Sequence, residues 1–375
     1  MSSETNKKEC LAVVFLPGRE LARYPDQFAR FEFLQKHYSV STVVASSSAK
    51  VEGSRRTYCI PHLNSLLFSL RAAWILQWKK RDYDFIYLIG LPAAGIFGLF
   101  RARCPVIAYA PTHLEQAFGP ERQRPFKLMA WLKLATFLRG LGRLTSVMAI
   151  SRQLAALYQG RTGRVSLIPM GVDLDLYRDC HPAPAADGHL NIVYPGSGGP
   201  GRGLDLVLEC ARRMVAEGVA ATFHLVGCAE PMLERALAES PELAQALRLY
   251  PLMPYADVVR LYGQMQAGVS LLETNVFYTT SPPQKIFEYM AAGLPVLCND
   301  IVTHTDYVGD SAIVVGWSAE ALFDGVLALR DRYPALAAAA ALKRGQMGDH
   351  ARTAVERRFV EELEYDLRSI HNAGR

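Results

Sequence analysis

Short runs of consecutive apolar residues, many of them β-branched, alternate with longer amphipathic stretches along the whole chain. Strands that are apolar on both faces and separated by helix-length segments are typical of parallel sheets covered by helices on both sides. The runs form two sets, so the pattern predicts an α/β protein with two doubly wound sheets. The predicted strands are 11–16, 40–45, 84–90, 105–110, 146–151, 165–170, 191–196, 221–227, 268–272, 294–298 and 312–315.

The length supports two domains, because 375 residues exceed what one hydrophobic core usually organises. The predicted break is RDCHPAPAADGH, which has no apolar period. It separates domains at 1–178 and 190–350, with 179–189 as the linker. The last segment is predicted to be a helix, since Val355, Phe359, Leu363 and Leu367 recur every four residues.

Composition narrows the class of protein. A net charge of +5 fits an anionic ligand or a membrane surface and is too small to indicate nucleic acid. The seven cysteines form no CxxC pair, so we expect reduced thiols in a cytoplasmic protein and neither disulfides nor a metal site. The longest uncharged run, 85–100, is shorter than the roughly 20 residues that span a bilayer, which predicts no transmembrane segment.

A glycine-rich stretch, YPGSGGPGRGLDLVLECARRM, covers residues 194–214. We predict that a strand ends at Tyr194 and that a helix begins near Leu204. The glycines allow close approach of a ligand, and Arg202 adds a positive charge beside a helix N-terminus. Phosphate binding and a plain strand-to-helix turn are both open from the spacing alone.

A second stretch, SPPQKIFEYMAAGLPVL, covers residues 281–297. Ser281 suits a helix N-cap, Pro282 the first helical position and Gln284 the third, so the pattern predicts a capping box. Gly293 is expected to end this helix in the left-handed conformation.

Lys285 and Glu288 are expected to share one face of that helix. They form either a salt bridge on a solvated face or a binding site for a sugar nucleotide. In the second case the amine would meet phosphate and the carboxylate would accept hydrogen bonds from ribose hydroxyls.

Several of these segments together resemble the retaining glycosyltransferases of family 4. They are ISRQLAALY and SLIPMGVDLDLY in 150–177, the glycine-rich stretch, ATFHLVGCAEPMLERAL, and SPPQKIFEYMAAGLPVLCND. The resemblance implies the GT-B fold, in which two Rossmann-like domains face a cleft and a C-terminal helix, here 351–375, packs back toward the N-terminal domain. It also implies sugar transfer with retention from a nucleotide diphosphate sugar to a glycan acceptor, with no metal and no other cofactor.

The resemblance assigns roles to single residues. Glu288 matches the second glutamate of the E-x7-E motif, which holds the ribose, and Arg202 matches the basic residue that contacts the diphosphate. Gly18 matches the glycine near the same phosphates, and His113 matches the histidine near the reacting sugar. The backbone at Met253 matches the position that binds the nucleotide base. The expected catalytic residues are His113, Arg202, Lys285 and Glu288. The expected donor-binding residues are Gly18, Ser197, Gly198, Arg202, Met253, Thr280, Ser281, Pro282, Lys285 and Glu288.

Three positions depart from the family pattern. Thr280 stands where the first glutamate of E-x7-E is expected, Ser197 where a second basic residue is expected, and Met170 where an asparagine is expected. We hypothesise that Lys285 and Arg202 form the diphosphate clamp. The departures also leave open a catalytically silent sugar-nucleotide-binding subunit of a glycosyltransferase complex.

Segments 66–81 and 125–144 combine aromatic and aliphatic residues with lysine and arginine. Such segments lie in anionic membrane interfaces, or they pack on a sheet with the basic ends outward. The membrane interpretation predicts a peripheral protein on the inner face of the cell membrane and a lipid-linked or polyprenyl-linked acceptor in cell-surface glycan assembly. The sequence leaves the base, the sugar, the acceptor, the linkage and the oligomeric state open.

Overall fold

The computed structural model describes residues 7–14, 25–44, 51–60, 68, 70–74, 83–113, 127–185, 188–228 and 231–373. Contacts divide the chain into two compact units. The first unit is Met1–Pro169 together with Val355–Arg375, and the second is Met170–Ala354.

The first unit contains a seven-stranded sheet in the order β3-β2-β1-β4-β5-β6-β7. Every neighbouring pair is parallel. The strand order reverses between β1 and β4, which makes the sheet doubly wound. The strands are β1 (Glu9–Val14), β2 (Ser39–Val44), β3 (Arg56–Cys59), β4 (Phe85–Ile89), β5 (Val106–Ala110), β6 (Ser146–Ala149) and β7 (Arg164–Leu167).

The second unit contains a six-stranded sheet in the order β10-β9-β8-β11-β12-β13, again with parallel neighbours. Its order reverses between β8 and β11, so these two strands flank the switch point of the sheet. The strands are β8 (Leu190–Pro195), β9 (Ala221–Val226), β10 (Leu247–Tyr250), β11 (Ala267–Ser270), β12 (Val296–Asn299) and β13 (Ala312–Val315).

Helices connect and cover the strands of both sheets, as the alternation of apolar runs and amphipathic stretches predicted. They are α1 (Pro25–His37), α2 (Gly95–Leu99), α3 (Lys127–Leu141), α4 (Arg152–Tyr158), α5 (Leu204–Glu217), α6 (Pro231–Glu239), α7 (Tyr255–Tyr262), α8 (Gln284–Ala292), α9 (Val302–Val308), α10 (Ala319–Gly345) and α11 (Arg352–Ala373). The predicted α/β class with two parallel sheets is confirmed.

Two strands were not predicted, and each lies at the edge of its sheet. Strand β3 has no fully buried residue, and in β10 only Leu247 is buried. Edge strands face solvent along one side and need no continuous apolar run. The periodicity that reveals the inner strands is therefore absent from RTYC and LRLY.

The division by contacts does not coincide with the linker predicted at 179–189. Residues 170–178, which the sequence pattern gave to the first domain, lie in the second unit. The reason is a short 3-10 turn, Leu174–Tyr177, whose buried Tyr177 stacks on Tyr262 of α7, with ring centroids 6.3 Å apart. The linker prediction relied on composition, which does not register such a contact.

The C-terminal helix α11 belongs to the first unit from Val355 onward. Its Phe359 lies 5.8 Å from the ring of Phe33 on α1 and 5.5 Å from that of Tyr87 on β4. Glu362 and Asp366 of the same helix both accept hydrogen bonds from Arg164 on β7. These contacts join α11 to the sheet of the first unit.

Helices α2 and α3 approach closely because two glycines face the partner's backbone. A Cβ on Gly98 would lie 1.8 Å from the carbonyl oxygen of Thr136, and one on Gly140 would lie 1.9 Å from that of Ala94. Arg143, which follows α3, donates to the carbonyl of Phe97 at 2.6 Å. This arginine of the predicted membrane segment therefore caps α2 and does not extend outward.

Within the part of the chain that the structure describes, no helix is both long enough and apolar enough to cross a membrane.

Candidate functional site

Most of the predicted donor-binding residues lie in loops that follow strands of the second sheet at their carboxyl ends. The glycine-rich loop follows β8, Met253 follows β10, and residues 271–283 follow β11. Strands β8 and β11 flank the switch point, where ligands of doubly wound sheets characteristically bind. The topology alone therefore places a candidate ligand site beside Arg202 and the start of α8.

Helix α8 is fixed to the sheet by Tyr289, which is fully buried. Its hydroxyl lies 3.1 Å from the carbonyl oxygen of Val193 on β8 and 3.0 Å from that of Val269 on β11. Gly268 makes room for the ring, since a Cβ there would lie 2.5 Å from it. Gly293 ends the helix at φ 74°, as predicted.

The predicted capping box at the start of α8 is wrong. The helix begins at Gln284, its N-cap is Pro283, and no side chain caps it. A residue that precedes proline disfavours the helical conformation, so Pro282 cannot be the first helical residue when Pro283 follows it. The hydroxyl of Ser281 is buried and forms no hydrogen bond within the described residues.

The glycine-rich loop connects a strand to a helix that begins at Leu204, as its sequence predicted. Gly201 and Gly203 have φ angles of 74° and 65°, and α5 begins at Leu204. Gly203 packs so closely on Leu271 that a Cβ would lie 2.5 Å from the Cβ of that leucine. The backbone N–H of Glu273 donates to the carbonyl of Gly201 at 2.8 Å, which joins the loop to the segment after β11.

Tyr194, the last residue but one of β8, contacts the backbone of Arg202 and the side chain of Lys285. The tyrosine hydroxyl donates to the carbonyl of Arg202 at 2.9 Å, and the Lys285 ammonium lies 3.7 Å from the centroid of its ring. Burial, and next the charge of Arg202, lower the pKa of Lys285 to about 7, whereas Cys228 and Glu288 act in the opposite direction. Two like charges thus lie close together beside the glycine-rich loop.

Of the two alternatives for Lys285 and Glu288, the salt bridge on a solvated face does not form. Lys285 has no ion-pair partner among the described residues, and Glu288 is only 7% exposed. The Oε2 atom of Glu288 accepts a hydrogen bond from the hydroxyl of Tyr262 at 2.7 Å. Burial raises the pKa of this carboxyl, and the bond from Tyr262 offsets part of that rise.

Three tyrosines surround the Glu288 carboxylate, and none of them was among the predicted site residues. Besides Tyr262, Tyr255 is near enough to lower the carboxyl pKa, and its hydroxyl lies 2.6 Å from that of Tyr177. Each of the three is the first or last residue of its helix or turn, and Tyr194 is the last but one of β8.

The remaining predicted residues are spread over both units. Ser197 is exposed and Gly198 partly exposed in the glycine-rich loop, and Met253 is partly buried. Thr280 directs its hydroxyl to the carbonyl of Val276 at 2.8 Å, and Pro282 is buried. His113 is buried in the first unit just after β5, and Gly18 lies outside the described residues.

Two family profiles match the chain, one in each half. Residues 189–332 match the profile described as glycosyl transferases group 1, and residues 27–176 match the one described as glycosyltransferase family 4. No curated protein matches the chain in sequence.

Solved structures of similar fold cover almost the whole chain. An Anabaena protein, HepE, in complex with UDP has a TM-score of 0.71 at 15% identity, over 95% of this chain and 99% of its own. Sucrose-phosphate synthase from Thermosynechococcus elongatus has a TM-score of 0.69 at 15% identity, over 97% and 100%. The lipopolysaccharide outer core galactosyltransferase WaaB has 0.67 at 13%, over 95% and 99%.

The identities are low, so the solved structures establish the fold, and the two profiles establish the family. Two doubly wound parallel sheets of seven and six strands are the architecture that these neighbours share with the chain. The protein therefore belongs to the group 1, family 4 glycosyltransferases and has the GT-B fold.

Proposed function

We propose that the protein transfers a sugar, with retention of anomeric configuration, from a nucleotide diphosphate sugar to a glycan acceptor. The observation that carries the proposal is the pairing of Arg202 with Lys285 beside the glycine-rich loop, where neither cation has a carboxylate partner among the described residues. A diphosphate held there would neutralise both charges. The same two groups would stabilise the negative charge that develops on the leaving diphosphate.

A UDP-sugar is the donor that the comparisons favour, with a GDP-sugar as the second candidate. The HepE structures hold UDP, UDP with glucose, and UDP-glucose. In this chain the base would bind at the loop that contains Met253. The neighbouring Leu252 is 84% exposed, and its side chain lies 3.4 Å from the position that a Cβ on Gly227 would occupy. Glu288 would accept a hydrogen bond from a ribose hydroxyl in addition to the one that it accepts from Tyr262.

Metal-independent transfer is part of the proposal, because Arg202 and Lys285 supply two positive charges at the leaving group. We expect the rate of transfer to be unchanged after treatment with EDTA. A rate of transfer that fell with EDTA and returned with Mg²⁺ would contradict metal independence. It would not contradict the roles proposed for Arg202 and Lys285.

Donor binding is tested by thermal-shift screening of the protein against UDP, GDP and their hexose conjugates, because a ligand that binds only the native state raises its melting temperature. We expect a UDP-sugar to give the largest shift. Release of UDP in the presence of a glycan acceptor then distinguishes a transferase from a catalytically silent subunit, which binds the donor and releases nothing. The silent alternative rests on the three departures at Thr280, Ser197 and Met170; the hydroxyl of Thr280 is bonded to its own turn.

We also propose a lipid-linked acceptor and peripheral attachment to an anionic membrane at the cytoplasmic face. The support is the exposure of Trp74 (62%), Leu70 (46%) and Leu138 (47%) in the two basic and apolar segments. Co-sedimentation with vesicles of anionic lipid at low salt tests this attachment. Vesicles of neutral lipid, and a Trp74→Ser, Leu138→Ser double variant, are the controls, and no sedimentation with anionic vesicles would contradict the proposal.

A further inference from the structure

Tyr194 contacts the segments of both predicted phosphate-binding cations: the backbone of Arg202 and the side chain of Lys285. It is fully buried at the end of β8, and its ring and its hydroxyl serve different partners. The ring faces the ammonium of Lys285 at 3.7 Å, and the hydroxyl donates to the carbonyl of Arg202 at 2.9 Å. A phenylalanine would keep the first contact and lose the second, and a leucine would lose both.

The position of Tyr194 is itself fixed by the sheet. Residue 194 pairs with Leu225 on β9, and the carbonyl of the preceding Val193 lies 3.1 Å from the hydroxyl of Tyr289 on α8. Helix α8 carries Lys285, so the same helix is tied to β8 directly beside the tyrosine. The sheet and α8 therefore hold the Tyr194 ring in a fixed position against the Lys285 ammonium.

The remaining charged and titratable groups around Lys285 do not replace this contact. Arg202 repels the ammonium, and Cys228 and Glu288 stabilise it without forming an ion pair. His304 lies near enough for Lys285 to lower its pKa, but it is buried between Ser270 at 3.0 Å and the carbonyl of Asn299 at 3.2 Å. Burial lowers the pKa of His304 to about 4, so it stays neutral near pH 7.

We infer that Tyr194 is a positioning residue for the diphosphate: its ring holds the Lys285 ammonium and its hydroxyl holds the glycine-rich loop at Arg202. The inference rests on the proposed function, since it assigns the spacing of the same two cations. A diphosphate needs both cations at a fixed separation, because its oxygens are joined by short covalent bonds. Tyr194 contacts the Arg202 backbone and the Lys285 ammonium from one side chain, which restricts how far these two segments can move apart.

The test measures the affinity for UDP by titration calorimetry from pH 6 to pH 8.5, with GDP as the probe if UDP does not bind. Tyr194→Phe is expected to weaken binding by about fivefold, the usual effect of one neutral hydrogen bond, and to keep the pH profile. Tyr194→Leu is expected to weaken binding further. It is also expected to move the fall in affinity to lower pH, because the ring no longer favours the charged amine.

Tyr333→Phe is the matched control, since its hydroxyl also donates to a backbone carbonyl, that of Ala183, in the second unit. We expect it to bind as the wild type does. Equal binding by wild type and Tyr194→Phe would overturn the inference, and so would an unchanged pH profile in Tyr194→Leu. If Tyr194→Leu does not fold, the UDP affinity of the nearly isosteric Tyr194→Phe tests the inference by itself. Failure of the wild type to bind either nucleotide would overturn the proposed function itself.

Discussion

Each unit contains buried or half-buried cationic side chains, and the two units differ in whether a carboxylate pairs with the cation. In the first unit Arg164 donates to Asp366 at 2.8 Å and also to Glu362, and its guanidinium lies 4.3 Å from the ring of Tyr365. In the second unit Lys285 faces an aromatic ring and a second cation, with no ion pair among the described residues.

The difference separates cations that are paired with carboxylates inside the fold from like charges that have no carboxylate partner among the described residues. A matched ion pair contributes to folding without any further partner, although a partly exposed pair contributes little. Like charges that are held together and desolvated oppose folding until an anion arrives, which is typical of functional sites. Binding of the anion then adds to the stability of the native protein.

The largest expected effect is that of Lys285→Ala. Losing a charge-assisted hydrogen bond to phosphate should weaken UDP binding by about 30- to 100-fold. The melting temperature of the free protein should not fall, because the repulsion from Arg202 disappears. Calorimetry and a thermal melt measure the two quantities, with Lys343→Ala as the control. An affinity equal to that of the wild type would break the comparison and the clamp hypothesis.

Asp366→Asn tests the other side of the comparison. The carboxylate is almost fully buried, whereas Arg164 is about one-third exposed. We therefore expect a loss of about 2 kcal/mol in the free energy of unfolding, below the usual cost of breaking a fully buried pair. Urea unfolding measures that loss. UDP affinity should be unchanged, and a parallel loss of affinity would show that the two regions are not independent.

The dependence of UDP affinity on pH sharpens the assignment to Lys285. With a pKa lowered to about 7 in the free protein, the amine loses its proton as pH rises through 7. A bound diphosphate favours the charged amine, so affinity should fall above pH 7, by at most about tenfold per pH unit. Lys285→Ala should remove this fall. Calorimetry in buffers of different ionisation enthalpy should detect proton uptake near pH 7.5 in the wild type and none in the variant.

The smallest effect concerns two serines that precede helices. Ser318 accepts a hydrogen bond from the N–H of Ala321 at 3.1 Å and caps α10, so Ser318→Ala should cost about 1 kcal/mol of stability. Ser281 caps nothing, and Ser281→Ala should cost less than about 0.5 kcal/mol. Chemical unfolding of both variants compares them. An equal loss would mean that the hydroxyl of Ser281 does stabilise α8.

The inner strands and the ends of helices α5 and α8 near glycines could be predicted because each depends on its own residues. Apolar runs specify β1 or β12, and Gly203 and Gly293 supply conformations that few other residues adopt. The start of α8 was misplaced because the conformational effect of Pro283 on Pro282 outweighs the cap preference of Ser281. The apolar pattern did not predict edge strands β3 and β10, because these strands are defined by pairing on one side and not by burial.

The candidate site could be predicted only in part. Arg202 and Lys285 were predicted from their positions in a glycine-rich turn and on one helix face, and the family resemblance added a role for Arg202. Tyr194 and Tyr262 were not predicted, because their roles depend on contacts between residues 91 and 26 positions apart in the sequence, which periodicity does not reveal. One of the two alternatives for Glu288 placed it on a solvated face, whereas the structure buries it beside tyrosines. Long-range contacts of this kind need the folded chain.

The first unit is interrupted in sequence, since Val355–Arg375 joins Met1–Pro169 only after the whole of the second unit. A ribosome that makes this chain therefore finishes the second unit first, although it begins with the other. Until α11 emerges, Phe33 and Tyr87 lack the ring of Phe359, and Arg164 lacks both its carboxylates. Nascent chains fold domain by domain as they are made, so the unit that starts synthesis is the last to be completed. A premature stop at residue 355 would leave the second unit whole and the first one without its C-terminal helix.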